Sequence, residues 1–414
     1  MELLPVIYLS YMFVSMYFLF LFLFLYFLNK KRLFDYPKLK KKYKVSFIIP
    51  AYNEERTIKE TLEHIFSIDY DNISQVIVVN DNSTDKTKEI VESLKKDHKN
   101  LILINNKKNL GNAAKTKNVG LKYANGEIIA FVDADSYPAK DSLKKMLGFF
   151  EDKKVGAVTC PILVKNQSNI IEKMQELEYK TIATTRKLLG YLDSIYVTPG
   201  PLALYRKKAL EKINGFDEEN LTEDIEITWG LAKNNWKREM SLSTQVTTTA
   251  PDNLKDWYKQ RLRWTLGGLQ CIVKYKKEFL KKGILGMFIL PFFILQFFLG
   301  VIGIGVFLYL LTTRVVSNYI FAKYAIPANV PLLTLNDFFI TPSFLDYLGI
   351  ILFVSGFIFT LLVIAIIEKI ELKEVLKKQR LRVILSYSLI YLSLYPLITI
   401  IAIYKYFKRE KRWR

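Results

Sequence analysis

Residues 3–28, LLPVIYLSYMFVSMYFLFLFLFLYFL, carry no charged side chain. About 20 apolar residues in a helix cross a bilayer core, so this run predicts a transmembrane helix with some tilt. A secretory signal is the competing reading, but the run is too long for one and has no basic flank before it. Three more stretches share its character, at about 284–311, 344–367 and 383–407, each bounded by Lys/Arg clusters or by proline and polar residues. Four apolar segments therefore frame the chain, and the middle reads like a soluble protein.

The formal net charge of +20 sits largely beside those segments. An excess of Lys and Arg marks the cytoplasmic side of a membrane. NKKRLFDYPKLKKKYK, after the first segment, therefore predicts a cytoplasmic middle domain in a multi-pass protein of the cell membrane. EKIELKEVLKKQRLR (368–382) is also basic, and four simple crossings make it cytoplasmic too. The same count puts the tail YKYFKREKRWR outside, unless Pro396 bends the last segment and returns it. Basic residues placed this way attract anionic lipid headgroups and do not interleave with aromatics on a soluble face, so no nucleic-acid partner is expected. Cys160 and Cys271 make no metal pattern, and with only His64 and His98 available a zinc site is not expected.

From about residue 45 the pattern changes. VSFIIP (45–50), QVIVVN (75–80), LILIN (101–105), IIAFV (128–132) and VGAVTC (155–160) are short, β-branched and almost wholly apolar, as strands buried on both faces are. Amphipathic segments separate them, such as EERTIKETLEHIF with Ile58, Leu62 and Ile65 at helical spacing. This alternation predicts an α/β domain with a mostly parallel, doubly wound sheet, in which ligands bind beyond the carboxyl ends of the strands.

The polar residues collect at those ends. IIAFV runs into Asp133-Ala134-Asp135, QVIVVN into Asp81-Asn82-Ser83-Thr84-Asp85, and VSFIIP into Ala51-Tyr52-Asn53-Glu54. Part of the second stretch reads as a helix start, with Ser83 or Thr84 capping a helix from Asp85 onward. An Asp-x-Asp on a strand exit is a candidate for Mg²⁺ or Mn²⁺, which prefer carboxylate oxygens and substrate phosphates and can neutralise a leaving diphosphate. No nucleotide-binding glycine fingerprint of an NTPase or a dehydrogenase is present.

The motifs IIPAYNEE, VVNDNSTD, FVDADSYP, TPGPLALYRKKALEKINGFDEENLTEDIEITW and QRLRW, in this order over residues 44–270, resemble glycosyltransferase family 2. Within it they are similar to the membrane-embedded processive polysaccharide synthases that make hyaluronan, chitin, cellulose and poly-N-acetylglucosamine. The resemblance implies a cytosolic GT-A (Rossmann-like) α/β domain over 44–252 and interface helices over 253–282. Around these it implies an N-terminal transmembrane helix (1–30), a C-terminal transmembrane region (283–407) and a basic tail (408–414). It implies that Tyr52, Glu54 and Asp81 contact the nucleotide, and that Asp133 and Asp135 meet the diphosphate and its metal, Asp135 being the direct ligand. Thr222-Glu223-Asp224 looks like the motif whose aspartate is the general base. Gln260 and Arg263 would support the diphosphate, Trp264 would stack under the acceptor sugar, and Gly200 would line the acceptor. The partners implied are a UDP-sugar donor, a growing polysaccharide or lipid acceptor, and membrane lipids. UDP-N-acetylglucosamine is the expected donor, with UDP-glucose the alternative.

Two departures stand out. The stretch Asn109–Gly120 is more similar to non-processive members, leaving either Lys115 or Lys117 to approach the diphosphate or both as solvated helix lysines. Asn80-Asp81 stands where many relatives have two aspartates. The rival reading is accordingly a non-processive enzyme adding one sugar to a membrane lipid such as a polyprenyl phosphate. Residues 167–191, with Ile171, Met174, Leu177 and Ile182 at helical spacing, read as a basic amphipathic helix in the membrane interface or as a core-facing one.

Overall fold

The structure, a computed structural model, describes residues 3–328, 344–370, 372–375 and 378–408. The basic tail expected at the C-terminus lies, beyond Lys408, outside the described residues. The chain opens with helix α1 (Leu3–Asn29) and then builds strand and helix in turn. These are β1 (Val45–Ala51), α2 (Ile58–Phe66), β2 (Ile73–Asn80), α3 (Thr87–Leu94), β3 (Leu101–Asn105), α4 (Ala113–Tyr123) and β4 (Ile128–Phe131). The second half of the domain is less regular. It comprises β5 (Ser136–Pro138), α5 (Ser142–Met146), β6 (Val155–Thr159), β7 (Ile162–Val164), α6 (Ile170–Gly190), β8 (Ala203–Arg206), α7 (Lys207–Lys212), α8 (Glu223–Lys233), β9 (Lys237–Met240) and β10 (Val246–Thr248).

Seven strands form one sheet in the order β3-β2-β1-β4-β8-β6-β9. Its pairings are parallel except where β8 runs antiparallel to both β4 and β6. The near-continuous apolar strands feed two cores at once. Phe47 and Ile49 point into one with Leu62, Val76 and Val78, while Ile48 points into the other with Ile77, Val79 and Ala114. Alternation along a strand that is apolar throughout leaves neither face wet, and each fully buried side chain of this size contributes roughly 1.5–3 kcal/mol. A small sheet, β5-β10-β7, closes the end of the domain beyond β4.

After α9 (Leu254–Tyr275) come α10 (Leu290–Ala325), α11 (Phe344–Glu368), the short α12 (Leu372–Val375), α13 (Lys378–Ser386) and α14 (Leu394–Phe407). Among the described residues, four helical segments are long and apolar enough to cross a membrane: Pro5–Arg32, Leu285–Ala325, Tyr347–Glu368 and Leu381–Phe407. Large apolar side chains stand outward on them, Phe13 at 72% exposure and Phe307 at 60%. Surfaces of that kind are stable only against lipid or another protein, which makes this a membrane protein. The second segment runs well past the expected end at 311, to Ala325. The last is interrupted: a π-type turn at Tyr387–Tyr391 separates α13 from α14. Pro396 sits in the first turn of α14, where it has no N–H to donate back across the break.

Helix α6 differs from a helix lying in a membrane surface. Glu172, Gln175, Glu178, Lys180, Arg186 and Lys187 are all buried, because α6 is enclosed between the sheet domain and helices α1, α11 and α13.

Candidate active site

Register sets one edge of the site. Ala51 pairs with Asn80 across β1 and β2, and β4 lies on the other side of β1. The exits of three neighbouring strands therefore deliver Tyr52 and Glu54, Asp81, and Asp133 with Asp135 to one rim. All five line a single cavity of about 820 Å³. The loops are braced against each other: Asn53 and Asn82 adopt left-handed backbone (φ +57° and +61°), and the Asn53 amide oxygen accepts from the Thr84 N–H at 2.8 Å. The helix start expected at Asp85 falls at Thr87 instead. Asp85, not Ser83 or Thr84, accepts from the Thr87 N–H at 3.0 Å, while Ser83 Oγ accepts from the Asn53 N–H at 3.0 Å. Asp81 is 5% exposed, and its carboxylate accepts from Asn106 Nδ2 at 2.7 Å and from the Leu110 N–H at 3.1 Å. It thus braces the 106–110 loop as well as lining the cavity.

A second side of the cavity comes from α4 and α8. Asn112 caps α4 by accepting from the Ala114 N–H, and the helix carries Lys117 inward to 2% exposure. Lys117 Nζ donates to Glu223 Oε1 at 2.7 Å and stands 3.7 Å from Asp133 Oδ1. Lys115 makes no ion pair among the described residues and stays outside the cavity lining. Glu223 and Asp224 open α8, where the helix N-terminus favours negative charge. Burial, then the neighbouring Glu223, pushes Asp224 up to about 6, against the opposing fields of Lys117 and Arg263. Burial also acts on Glu223, but Lys117 outweighs it and holds that carboxyl below its ordinary range. Two adjacent acids are thus driven apart, and the raised one is the better proton acceptor near neutrality.

The opposite wall is α9, capped where Asn253 accepts from the Asp256 N–H. Gln260, Arg263 and Trp264 occupy positions i, i+3 and i+4, hence one face, and all three line the cavity. Arg261 turns the other way and is completely buried. Its Nε donates to Glu178 Oε1 at 3.1 Å and to Tyr395 Oη at 3.0 Å, and its guanidinium lies 4.2 Å from the Trp264 ring centroid. Tyr391 Oη donates to Glu178 Oε2 at 2.6 Å, and Trp257 Nε1 donates to Tyr391 Oη at 2.5 Å. Sequence reasoning assigned nothing to Glu178 or Arg261. The one available signal was the run of acids on α6 among apolar spacing, which needs a cation from elsewhere. Two glycines permit close approach: a Cβ on Gly200 would lie 2.5 Å from Asp133 Oδ2, and one on Gly267 would lie 2.0 Å from Thr222 Oγ1.

Six carboxylates line the cavity (Glu54, Asp81, Asp133, Asp135, Glu223, Asp224) against two arginines, Arg186 and Arg263. Burial, then Asp133 and Glu54, pushes Asp135 up to about 7. Burial likewise raises Glu54 and Asp133. An oxygen-only donor set with surplus negative charge suits a hard divalent cation. Among the described residues no three such side chains cage an ion by themselves. A cation here would therefore complete its shell with oxygens from the ligand.

The glycosyl transferase family 2 profile matches residues 46–214. The chain is 29% identical over 265 residues to the poly-β-1,6-N-acetyl-D-glucosamine synthase of Staphylococcus aureus (strain COL), covering 63% of this chain and 62% of that protein. The matched part thus spans less than two thirds of that relative's length. The Staphylococcus epidermidis synthase of the same name is 27% identical over 323 residues, 76% of this chain and 77% of that one. Among solved structures, the mannosyltransferase PcManGT of Pyrobaculum calidifontis, in complex with GDP-Man and Mn²⁺, superposes with a TM-score of 0.61 at 20% identity. It covers 99% of this chain and 100% of its own, a likeness of fold that includes the membrane-type helices. The family 2 match over residues 46–214, the mixed α/β GT-A sheet and these relatives together show a glycosyltransferase that carries a family 2 domain.

Proposed function

We propose that the protein transfers a sugar, with inversion, from a UDP-sugar held at the strand exits to an acceptor hydroxyl deprotonated by Asp224. The observation that carries this reading is the single cavity uniting Asp133, Asp135, Asp224, Gln260, Arg263 and Trp264. Tyr52, Glu54 and Asp81 would hold the nucleotide, and Arg263 and Lys117 would face the diphosphate. Asp133 and Asp135 would hold Mg²⁺ or Mn²⁺, which supplies the positive charge this acid-rich site lacks for a departing diphosphate. Trp264, stiffened by Arg261 against its ring, would support the acceptor sugar, with Gly200 on the acceptor wall.

By analogy with the staphylococcal synthases, the donor is UDP-N-acetylglucosamine and the product a β-linked polysaccharide, extended processively and passed through the membrane helices. The catalytic domain faces the cytoplasm. A second reading, one sugar added to a membrane lipid, is favoured by the apolar cavity wall of Ile182, Val197 and Ile225. The test is to incubate purified protein in nanodiscs with Mn²⁺ or Mg²⁺ and each common UDP-sugar, following UDP release and product size. Metal-dependent release with a high-mass product sensitive to a glycosidase is the expected result. Release that requires added lipid and stops after one sugar would transfer the assignment to the second reading. Release that persists in EDTA would remove the metal.

A further inference from the structure

We propose that Arg186 selects an N-acetylamino sugar in the acceptor by donating to its amide carbonyl oxygen, an inference that rests on the glycosyl-transfer reading and names the acceptor group that is read. Arg186 lies on α6, is 4% exposed and lines the cavity. Its Nε is buried without a hydrogen-bond partner, and among the described residues its guanidinium forms no ion pair. The other deeply buried arginines are satisfied: Arg238 donates to the carbonyls of Ile195, Trp236 and Asp193, and Arg261 to Glu178 and Tyr395. A buried donor without a partner is costly, and a ligand oxygen that accepts from it offsets that cost.

The cavity face of α6 places the residue. Tyr179, Ile182 and Arg186 all line the cavity at spacings of three and four, hence in one stripe that rises about 10 Å along the helix. At one end of the stripe the Tyr179 ring stands 6.4 Å from that of Trp264, tilted by 32°. Arg186 is therefore two turns along from the proposed sugar platform. The fields that oppose the lowering of its pKa by burial come from Tyr196, Asp224 and Cys160, not from the strand-exit acids.

Charge and shape decide what it reads. Six carboxylates already line the cavity, and Asp224 lends Arg186 negative charge from a distance. The guanidinium lacks an oxygen at hydrogen-bond range, and a further anion would be repelled by the acid-rich wall. A neutral amide carbonyl supplies the oxygen without the charge. The methyl beside that carbonyl needs an apolar seat. Ile182 lies one turn before Arg186, and Val197 and Ile225 adjoin Tyr196 and Asp224. A hydroxyl at the same sugar position reaches less far and carries no apolar group, so it loses both contacts.

The test uses the full chain in nanodiscs and measures binding by equilibrium titration. The probes are β-1,6-linked tetramers of N-acetylglucosamine and of glucose, which differ only at the acetamido position, the matching β-1,4 pair, and tetragalacturonate as the anionic sugar. In the linkage that binds more tightly, the N-acetylated tetramer is expected to bind about tenfold tighter than its glucose counterpart. Arg186→Met should remove that preference and leave the glucose tetramer bound as before. Arg186→Lys should keep part of it, and UDP should bind both variants as it binds the wild type. Equal binding of the paired tetramers by the wild type would overturn the proposal and leave the transfer reading standing. A preference that survives in Arg186→Met would also overturn it, as would tetragalacturonate bound through Arg186 more tightly than the N-acetylated tetramer. So would a lost preference for UDP-N-acetylglucosamine over UDP-glucose in Arg186→Met with tetramer binding unchanged, which puts the contact on the donor. If no tetramer binds the wild type in either linkage, the saccharide acceptor itself fails and the inference falls with it. If Arg186→Met loses UDP binding through misfolding, the wild-type pairs and Arg186→Lys decide.

Discussion

The strand-exit rim and the α9 wall hold opposite sides of one cavity by different means. The rim is set by sheet register: once Ala51 pairs with Asn80, Tyr52 and Asp81 must emerge together. The wall is set by one buried charge pair, Arg261 with Glu178, and by two tyrosines of the last membrane-type segment. The rim is local and built from backbone. The wall joins residues 83 and 213 positions apart in sequence. Chemistry proposed for the rim and α8 should therefore be separable from folding, whereas the wall couples the placement of Trp264 to the integrity of the membrane region.

The sharpest test of that separation is Asp224→Asn. Removing a general base costs about 10²–10⁴ in rate, and this substitution deletes no packing. Transfer should fall by about a thousandfold, while UDP affinity stays close to wild type and the fold is no less stable. Retained turnover, followed as UDP release, would reject the base assignment.

Arg261→Met probes the wall and should behave in the opposite manner. Breaking a buried ion pair from one side costs about 3–5 kcal/mol, because the remaining charge is left uncompensated. The melting temperature should drop and activity should fall with it. The double variant Glu178→Leu/Arg261→Met should regain much of the stability but little of the activity, since nothing then stiffens Trp264. Melting curves and UDP release on the same samples check both arms.

This contrast also explains what was legible in the sequence. Strand exits carry their own signal, an apolar run ending in acids, so the sequence alone puts Asp81, Asp133 and Asp135 on one edge. The Arg261–Glu178 pair has no local signature: each residue alone reads as a solvated charge on an amphipathic helix. The same blindness leaves α6 open between the membrane interface and the core, and its enclosed polar residues put it in the protein interior. The start of α3 was missed because Asp85 competes with Ser83 and Thr84 for capping, and the left-handed turns at Asn53 and Asn82 bind those two to another loop.

Gly200→Ala is a smaller perturbation of the rim. The added methyl would meet the Asp133 carboxylate, so either the Pro199–Pro201 loop or Asp133 must move by a fraction of an ångström. A displacement of about 1 Å near reacting groups costs about a hundredfold, and this shift is smaller, so kcat/KM should fall about ten- to hundredfold with the fold preserved. Unchanged kinetics would mean that Asp133 tolerates displacement and is not held for ligand.

The mildest test uses only pH, and its signs separate function from stability. Asp224 is raised to about 6 from an ordinary value near 4, by burial first and Glu223 second. As a base it must be ionised, so kcat/KM should fall about tenfold per pH unit once the pH drops below 6. Stability should move the other way. Between pH 4 and 6 the folded chain binds more protons at this site than the unfolded chain does, so lowering the pH through that window stabilises the fold. Asp224→Asn removes the titration. Its melting temperature should therefore exceed that of the wild type at pH 7 to 8, and the difference should shrink as the pH approaches 4. A difference that is constant across that range would mean that Asp224 is not raised, and the falling rate would then belong to another acid of the rim.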